Sequence, residues 1–428
     1  MNNLKGNQNL LTRRLQMIKQ VTKEMQDTKL YAVFMISVML AGIFSFFPVI
    51  ASLSNNVTIR SSGTIAAISP LHVEGRYIKD SSGDTIYLRG VNKAEFTDYP
   101  GSVWMGQGVR DYASWTQRRN DVITELDAMK SWGVNCIRCH QAVDHWKYNI
   151  GGHRQIIKEF LDLAAQKGMY VIYDGYSVRN YFNGSDQDPL PYPPYQTSRN
   201  ASEVIADEDA FVDYWVSVAS ELKDYPNVIF ELWNEPYGDE QAKQSWFNVS
   251  QRCINAIRGT GATQLIIFQW RMGCWVNLNF PPPNNPGSTL DWIFETNLTD
   301  PLGNLVYSTH IYRCYGAFHH SLPERWNAWE YDEIKKAFQY MMFDNVTAKC
   351  PLLIGEIGAD LAYTGEELQR ELIAFNNTLF IFNEWGIHYT AFWWRNIGIF
   401  RLLEYGEPWV PPPTASGQIL INALKSQE

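Results

Sequence analysis

A glutamate follows an apolar segment in the middle of the chain. Residues 227–236 read NVIFELWNEP, whose first half is rich in β-branched and aromatic residues and predicts a buried strand. The segment ends in Asn234, Glu235 and Pro236, so a carboxyl stands at the C-terminal end of the predicted strand. Burial beside a ring such as Trp233 favours the uncharged form of a carboxyl, which makes Glu235 a candidate general acid.

A second glutamate has the same setting further along the chain. Residues 351–359, PLLIGEIGA, form an apolar run that leads into Glu356, and Gly355 and Gly358 allow the backbone to turn beside it. Two carboxyls at two strand ends fit the hydrolysis of a glycosidic bond, in which one protonates the leaving oxygen and the other attacks the sugar carbon. This hypothesis requires a fold that brings Glu235 and Glu356 together.

Alternating strand and helix patterns indicate such a fold. Strict alternation predicts a parallel sheet with helices outside, and eight rounds predict closure into a single (β/α)₈ TIM barrel. The catalytic residues of such barrels lie at the C-terminal ends of the strands, where both glutamates are expected. The eight predicted strands lie within residues 85–92, 133–140, 169–176, 227–236, 264–270, 304–312, 351–359 and 388–394.

From residue 71 to the C-terminus, the chain resembles glycoside hydrolase family 5, a family of retaining (β/α)₈ cellulases. The resemblance rests on motifs that occur in the order the family has them, from an opening hairpin to the last strand. They are LHVEGRYIKDSSGDTIYLRGVN, GVNCIRCH, WNEP, STHIY, IGEIG and AFWW.

The resemblance implies roles for individual residues. Glu235 would be the acid/base residue and Glu356 the nucleophile. Arg138, a permanent cation, would hold Glu356 ionised. Asn234 would bind the 2-hydroxyl of the sugar, and Tyr312 would donate a hydrogen bond to Glu356.

Two further positions would contact the sugar. His310, in STHIY, would bind hydroxyl groups, although a lone histidine can also be a core residue. Trp393, in AFWW, would lie under the reacting sugar. Because strand residues alternate between faces, its neighbour Trp394 is the alternative for this role.

The chain departs from the family pattern after the third predicted strand. The family has Asp-x-His there, whereas this chain has Asp174, Gly175 and Tyr176. Tyr176 can bind a hydroxyl group but does not reproduce an imidazole. His140, two residues after Arg138 and on the same face, could fill the space, so the departure affects substrate choice more than reaction type.

The implied substrate is an internal β-1,4-glucan bond in an oligo- or polysaccharide, as in cellulose, and the implied chemistry needs no metal or organic cofactor. Alternatives within the family are a β-mannanase, a β-1,3-glucanase and an enzyme that cleaves glycolipids or glycans. An alternative of another class is a catalytically silent barrel that only binds carbohydrate. The presence of Glu235, Glu356, Asn234 and Arg138 argues against a silent barrel.

Long aromatic-rich loops are predicted on the same face of the barrel. Residues 95–115, 179–200 and 273–304 follow predicted strands and combine aromatic rings with glycine or proline. Any one of these rings could belong to a small core under its own loop. As a set, we expect the loops to form the wall of a binding cleft.

The N-terminal residues differ in composition from the rest. Residues 1–29 form a basic tail with six Lys or Arg against two acidic residues, and residues 30–53 contain no charged side chain. This apolar run reaches the ~20 residues that a membrane helix needs, so we expect a transmembrane anchor, with a cleaved signal segment as the alternative. Residues 54–70 are a polar linker, and residues 71–428 form the catalytic domain. With the basic tail inside the cell, the barrel would lie at the extracellular face of the membrane, or would be secreted after cleavage.

The charge balance does not favour nucleic acid as a partner. The formal net charge is −9, and the tail contributes +4, so the remaining residues carry about −13. No basic run occurs outside the tail, which argues against a phosphate-binding surface.

Cysteines and sequons bear on the expected compartment. Cys136 and Cys139 form a CxxC within a predicted strand, where they face opposite sides, so no redox or zinc role is expected. Cys274 and Cys314 fall in loops after consecutive strands, and we expect a disulfide between them in an oxidising exterior. The Asn-x-Ser/Thr sequons agree with export and begin at Asn56, Asn183, Asn200, Asn248, Asn297, Asn345 and Asn376.

Overall fold

A small antiparallel hairpin precedes the main sheet. The computed structural model describes residues 68–93, 111–176, 201–236, 240–270, 289–313, 328–404 and 412–426. The hairpin consists of β1 (His72–Glu74) and β2 (Tyr77–Lys79). Gly75 has a φ of +62° in the turn between them, a conformation that glycine adopts without strain. The structure therefore contains the expected opening hairpin.

Eight parallel strands close into a barrel in chain order, which confirms the predicted (β/α)₈ fold. Each strand pairs with the next, and the last returns to the first through the register Thr390 to Gly90. The strands are β3 (Arg89–Asn92), β4 (Cys136–Ala142), β5 (Tyr170–Tyr176), β6 (Val228–Glu231), β7 (Ile266–Gln269), β8 (Leu305–Ile311), β9 (Leu352–Ile357) and β10 (His388–Ala391).

Helices follow most of the strands. The first is capped by Asp111, whose side chain accepts the backbone N–H of Ser114, and it ends at Gly133 with a φ of +93°. The helices are α1 (Tyr112–Trp132), α2 (Val143–Tyr148), α3 (His153–Gln166), α4 (Ala201–Leu222), α5 (Glu240–Gly259), α6 (Trp292–Glu295), α7 (Tyr331–Tyr340), α8 (Phe343–Thr347), α9 (Gly365–Trp385) and α10 (Ala415–Lys425).

Two predicted elements end earlier than expected. The sequence pattern of residues 331–349 predicts one helix, but the structure has two, α7 and α8, separated at Met342, whose φ is +70°. The strand expected over residues 227–236 ends at Glu231, so Glu235 lies four residues beyond β6. Glu235 therefore lies on a loop, and the position of its carboxyl depends on the loop backbone.

The interior has two apolar layers. Large rings such as Trp115, Trp215 and Trp246 fill the space between the strands and the helices. A smaller cluster that includes Ile172 and Ile229 fills the inside of the barrel at its N-terminal end. Complete burial of one such aliphatic side chain stabilises the fold by about 1.5–3 kcal/mol. The apolar filling at this end leaves the C-terminal end of the barrel to the polar residues.

The described cysteines have the expected disposition. Cys136 lies in the inner cluster and Cys139 in the outer layer, so the CxxC residues face opposite sides of β4, and both are free thiols. Burial raises the pKa of the Cys136 thiol, which suits a core residue rather than a nucleophile. The expected Cys274–Cys314 disulfide lies outside the described residues.

The membrane expectation concerns residues that the structure does not describe. Within the described ranges, every helix is too short or too polar to cross a bilayer. The apolar run 30–53 and the basic tail lie outside those ranges, as do residues 54–67 of the linker and most residues of the three aromatic-rich loops.

Candidate active site

Arg138, on β4, is the centre of a buried polar cluster inside the barrel. Its Nε and Nη2 donate to the two oxygens of Glu231 at 2.7 and 3.1 Å. Its Nη2 also lies 3.0 Å from Asp174 Oδ2 and donates to Asn234 Oδ1 at 3.0 Å. Its Nη1 donates to Glu356 Oε1 at 3.0 Å. Burial lowers the pKa of Arg138, but the three carboxylates raise that pKa by more than burial lowers it, so the guanidinium stays charged.

Glu356, on β9, accepts from several donors. Besides Arg138, the Tyr312 hydroxyl donates to Oε2 at 2.8 Å, and His140 Nε2 lies 3.4 Å from Oε1. Burial would raise the pKa of Glu356, but electrostatic interaction with His310, a hydrogen bond from His140 and the charge of Arg138 outweigh burial and hold that pKa well below its usual range. An ionised carboxylate at this position can act as a nucleophile.

Glu235 lies on the loop after β6 with its side chain 22% exposed. Its Oε1 is 2.7 Å from His310 Nδ1, and its backbone N–H donates to Gln269 Oε1 at 3.0 Å. Trp233, expected as its apolar neighbour, is instead buried in the outer layer against the edge of Phe211. Among the described residues, His310 rather than a tryptophan is thus in contact with the Glu235 carboxyl.

The two candidate carboxyls meet across a short gap. One oxygen of Glu235, one nitrogen of His310 and one oxygen of Glu356 all lie within 4.8 Å of one another. Pairs about 5–5.5 Å apart occur in double displacement, whereas pairs that activate a water between them are about 6.5–9.5 Å apart. The separation fits direct attack by one carboxyl while the other transfers a proton.

The same three side chains are the one group of potential metal ligands found in the described part of the chain. His310 Nδ1 already contacts Glu235 Oε1, and Arg138 lies 3.0 Å from Glu356. Because His310 and Arg138 already contact these two carboxyls, the surroundings favour a proton-transfer pair over a metal ion.

Asn234 is oriented by the same cluster. Its side-chain oxygen accepts from Arg138, and its backbone N–H donates to the carbonyl of Gly175 at 2.8 Å. Since the side-chain oxygen is engaged, the amide N–H groups are the part of Asn234 that can donate to a ligand.

His140 lies beside Asp174 and Tyr176, the positions at which the chain departs from the family pattern. Its Nδ1 is 2.5 Å from Asp174 Oδ2 and its Nε2 faces Glu356, so the ring bridges two carboxylates. Burial lowers the pKa of His140, but hydrogen bonds to Asp174 and Glu356 raise it to about 10. The partly exposed Tyr176 ring lies against it, with the centroids 5.3 Å apart. His140 is thus directed at Glu356, and Tyr176 is the more exposed of the two rings.

The two tryptophans after β10 have different surroundings. Trp394 is buried against Trp132 in the outer layer, with the ring centroids 4.6 Å apart. Trp393 follows a cis peptide bond, stacks on Phe392 at 4.7 Å and has Arg395 over its ring at 4.7 Å. Trp394 therefore packs against α1. Trp393 is also buried, and Phe392 and Arg395 both contact its ring, so its place under the reacting sugar stays a prediction.

Three polar residues at the site were not anticipated from the sequence. Asn92 accepts from Arg138 Nη1 at 3.1 Å, and its amide donates to the Gly355 carbonyl at 2.9 Å. Glu231 pairs with Arg138, and burial raises its pKa. Gln269 accepts from Glu235. Asn92 and Gln269 are polar residues that end apolar strands, the same signal that identified Glu235.

A family model covers most of this architecture. The model described as Cellulase (glycosyl hydrolase family 5) matches residues 89–397, from the first barrel strand to beyond the last. This range includes all the candidate site residues.

Similar sequences have carbohydrate-active names. A mannan endo-1,4-beta-mannosidase of Cellvibrio japonicus is 21% identical over 257 residues, which are 59% of this chain and 47% of that protein. Endoglucanase gh5-1 of Neurospora crassa is 25% identical over 201 residues, 44% of this chain and 42% of that protein. The chain thus spans less than half the length of these two relatives.

Similar solved structures share the fold. The beta-glucanase SdGluc5_26A of Saccharophagus degradans has a TM-score of 0.59 at 17% identity, covering 84% of this chain and 94% of that one. It has also been solved in complex with cellotetraose. Endoglucanase Cel5A of Thermobifida fusca has a TM-score of 0.54 at 18% identity, covering 84% and 98%.

Proposed function

Because the chain belongs to the cellulase family, glycosyl hydrolase family 5, we propose that it hydrolyses internal β-1,4-glucan bonds with retention of configuration. The observation that carries the proposal is the gap between Glu235 and Glu356, whose nearest oxygens lie within 4.8 Å around His310. Retaining hydrolysis needs one carboxyl ionised and the other able to deliver a proton at this range. The charges around Glu356 supply the first condition.

In the first step, Glu356 attacks the anomeric carbon and Glu235 protonates the leaving oxygen. The bond from the anomeric carbon to the leaving oxygen breaks, and an ester bond to Glu356 forms. Arg138 and Tyr312 hold the nucleophile by hydrogen bonds of 3.0 and 2.8 Å. The amide of Asn234 donates to the 2-hydroxyl, a contact that strengthens in the transition state.

In the second step, Glu235 acts as a base. It takes a proton from a water molecule, the water oxygen bonds to the anomeric carbon, and Glu356 leaves as a carboxylate. His310, 2.7 Å from the Glu235 carboxyl, orients that group through both steps. The protons balance over the cycle, so these two steps require neither a metal nor an organic cofactor.

A β-1,4-glucan is the first substrate candidate, and a β-1,4-mannan is the second. An endoglucanase and a mannan endo-1,4-beta-mannosidase both stand among the relatives, and a structural neighbour binds cellotetraose. The two polymers differ at the sugar 2-hydroxyl, the group that Asn234 would contact. Activity on each polymer therefore decides between the candidates.

The test is a panel of soluble β-1,4-glucan, β-1,3-glucan and β-1,4-mannan with sizing of the products. We expect short oligosaccharides from the β-1,4-glucan and a β-configured product at the first time points by NMR. The Glu356→Ala variant should release none. Binding of the glucan by wild type and variant, with turnover by neither, would replace the proposal with a carbohydrate-binding barrel.

We also propose that residues 30–53 anchor the chain in a membrane with the barrel at the extracellular face. The support is an uncharged apolar run of membrane-spanning length that follows a basic tail. The full chain should stay with membranes after alkaline carbonate washing, and a form that lacks residues 1–53 should not. Release of the full chain by the wash, or a mature N-terminus beyond residue 53, would contradict an anchor.

A further inference from the structure

Gln269, the last residue of β7, reaches the loop that carries Glu235. The side chain is completely buried, and its Oε1 accepts the backbone N–H of Glu235 at 3.0 Å. The backbone carbonyl of Gln269 accepts the indole N–H of Trp246 at 2.8 Å. The glutamine is thus fixed on a barrel strand and on α5, while the residue it binds is on a loop.

The backbone of Glu235 needs such support. Its φ is +52°, in the left-handed region that residues with a side chain rarely adopt unless their surroundings hold them there. Within the described residues, the one hydrogen bond of the Glu235 N–H is to Gln269. This bond fixes the backbone end of Glu235, and His310 Nδ1 contacts its carboxyl end at 2.7 Å.

Stability alone is a poor explanation for an amide at this position. Gln269 Nε2 is buried, and no partner for it lies among the residues the structure describes. A buried amide that satisfies only one of its ends is less favourable than an apolar side chain of similar volume. A glutamine here is therefore better explained by the single contact that it makes.

We propose that Gln269 is a positioning residue for the acid/base carboxyl, a role that rests on the proposed function. It holds the loop backbone in the conformation that directs the Glu235 carboxyl at the reacting sugar. Proton transfer works only within about 2.6–3.2 Å, so a displaced carboxyl loses its function as acid and as base. Loss of Gln269 should therefore resemble partial loss of Glu235 and should leave attack by Glu356 intact.

The test uses leaving groups of different acidity with Gln269→Leu. On the β-1,4-glucan, whose leaving oxygen needs a proton, we expect kcat/KM to fall by about 10- to 100-fold, part of the ~10²–10⁴ that acid–base catalysis contributes. On a dinitrophenyl β-cellobioside, whose leaving group departs unprotonated, kcat/KM should stay within about threefold of wild type. Its kcat should fall, because release of the glycosyl-enzyme needs the base.

Azide gives a second readout on the same variant. Azide attacks the anomeric carbon of the glycosyl-enzyme, expels the Glu356 carboxylate and needs no proton removed. Azide should therefore raise kcat of Gln269→Leu on the aryl substrate and yield a β-glycosyl azide, and it should leave the wild-type kcat unchanged. Gln269→Glu, which keeps an acceptor oxygen, should retain more glucan activity than Gln269→Leu.

Gln264→Leu is the matched control, two residues before the N-terminal end of β7. Gln264 is also buried, but its amide donates to the Lys223 and Tyr225 carbonyls away from the site. The Gln264→Leu variant should lose stability, and the ratio of its kcat/KM values on the two substrates should equal that of wild type. If Gln269→Leu slows both substrates equally and does not respond to azide, Gln269 is not a positioning residue. If wild type hydrolyses neither substrate, the proposed function itself fails.

Discussion

At the scale of single residues, the site depends on a guanidinium that no other side chain can replace. Arg138 reaches Glu231 and Glu356 at once because its donors lie in a rigid planar fork. A lysine has one nitrogen and could not satisfy both sides. The barrel interior can therefore hold several carboxylates only because an arginine stands among them.

His140 lies beside Asp174 and Tyr176, where this chain departs from the family pattern, and the charge of its imidazole can be tested directly. The folded protein keeps the proton to about pH 10, whereas the unfolded chain releases it near the ordinary histidine pKa of about 6.5. The stability from this proton is therefore complete below pH 6.5 and is lost as the pH rises to 10. His140→Gln should lack this dependence. Urea unfolding at pH 6, 8 and 10 should show the wild-type advantage over the variant shrinking as the pH rises.

His72→Gln, on β1 and away from the barrel interior, is the control for this series. Its difference from wild type should not change across the same pH range. An advantage of wild type over His140→Gln that stays constant to pH 10 would mean that His140 is neutral in the folded protein.

At the scale of elements, the ends of the strands decide which side chains enter the site. Arg138 and His140 on β4 share the inward face because alternate strand residues point to the same side, so their placement follows from the strand pattern. Glu235 follows a different rule, since β6 ends four residues before it. Its direction comes from a left-handed backbone and from Gln269 on the neighbouring strand. The sequence pattern located this residue but not the means of holding it.

The junction between α2 and α3 should be sensitive to acid. His145 and His153 lie there with ring centroids 5.5 Å apart. Burial lowers the pKa of His145 to about 4, and burial with the nearby His145 and Arg154 lowers that of His153 to about 3. The unfolded chain takes up protons below pH 6.5 and the folded chain does not, so stability is complete above pH 6.5 and falls towards pH 4. His153→Phe should reduce this loss, as thermal unfolding between pH 7 and pH 4.5 would show.

The matched control makes the same histidine-to-phenylalanine substitution on the hairpin, outside the barrel. His72→Phe should leave the acid dependence of wild type unchanged. If His153→Phe loses stability between pH 7 and pH 4.5 as steeply as wild type does, other groups cause the acid sensitivity.

At the scale of the whole molecule, the sequence predicts the barrel and the identities of the site residues better than it predicts their contacts. The alternation of strands and helices is a local pattern repeated eight times, so it can be recognised in a single sequence. The bridging of Asp174 and Glu356 by His140 depends on where three strands meet in space. The same holds for Gln269, whose partner is 34 residues away. The break at Met342 was missed because both of its halves have helical patterns.

The two ends of the barrel should separate stability from activity. Ile78 on β2 is completely buried in the inner apolar cluster, together with Leu88, while the candidate carboxyls lie at the other end. Ile78→Ala should lower the free energy of unfolding by about 2–5 kcal/mol, the usual result for a buried isoleucine. It should leave kcat/KM on the preferred glucan unchanged below the melting transition, because active sites of this fold use only the C-terminal face.

The control is Tyr77→Ala, at an exposed position on the same strand, which should change the free energy of unfolding by less than about 1 kcal/mol. A fall in kcat/KM for Ile78→Ala at a temperature where it is fully folded would show that the hairpin end influences the site.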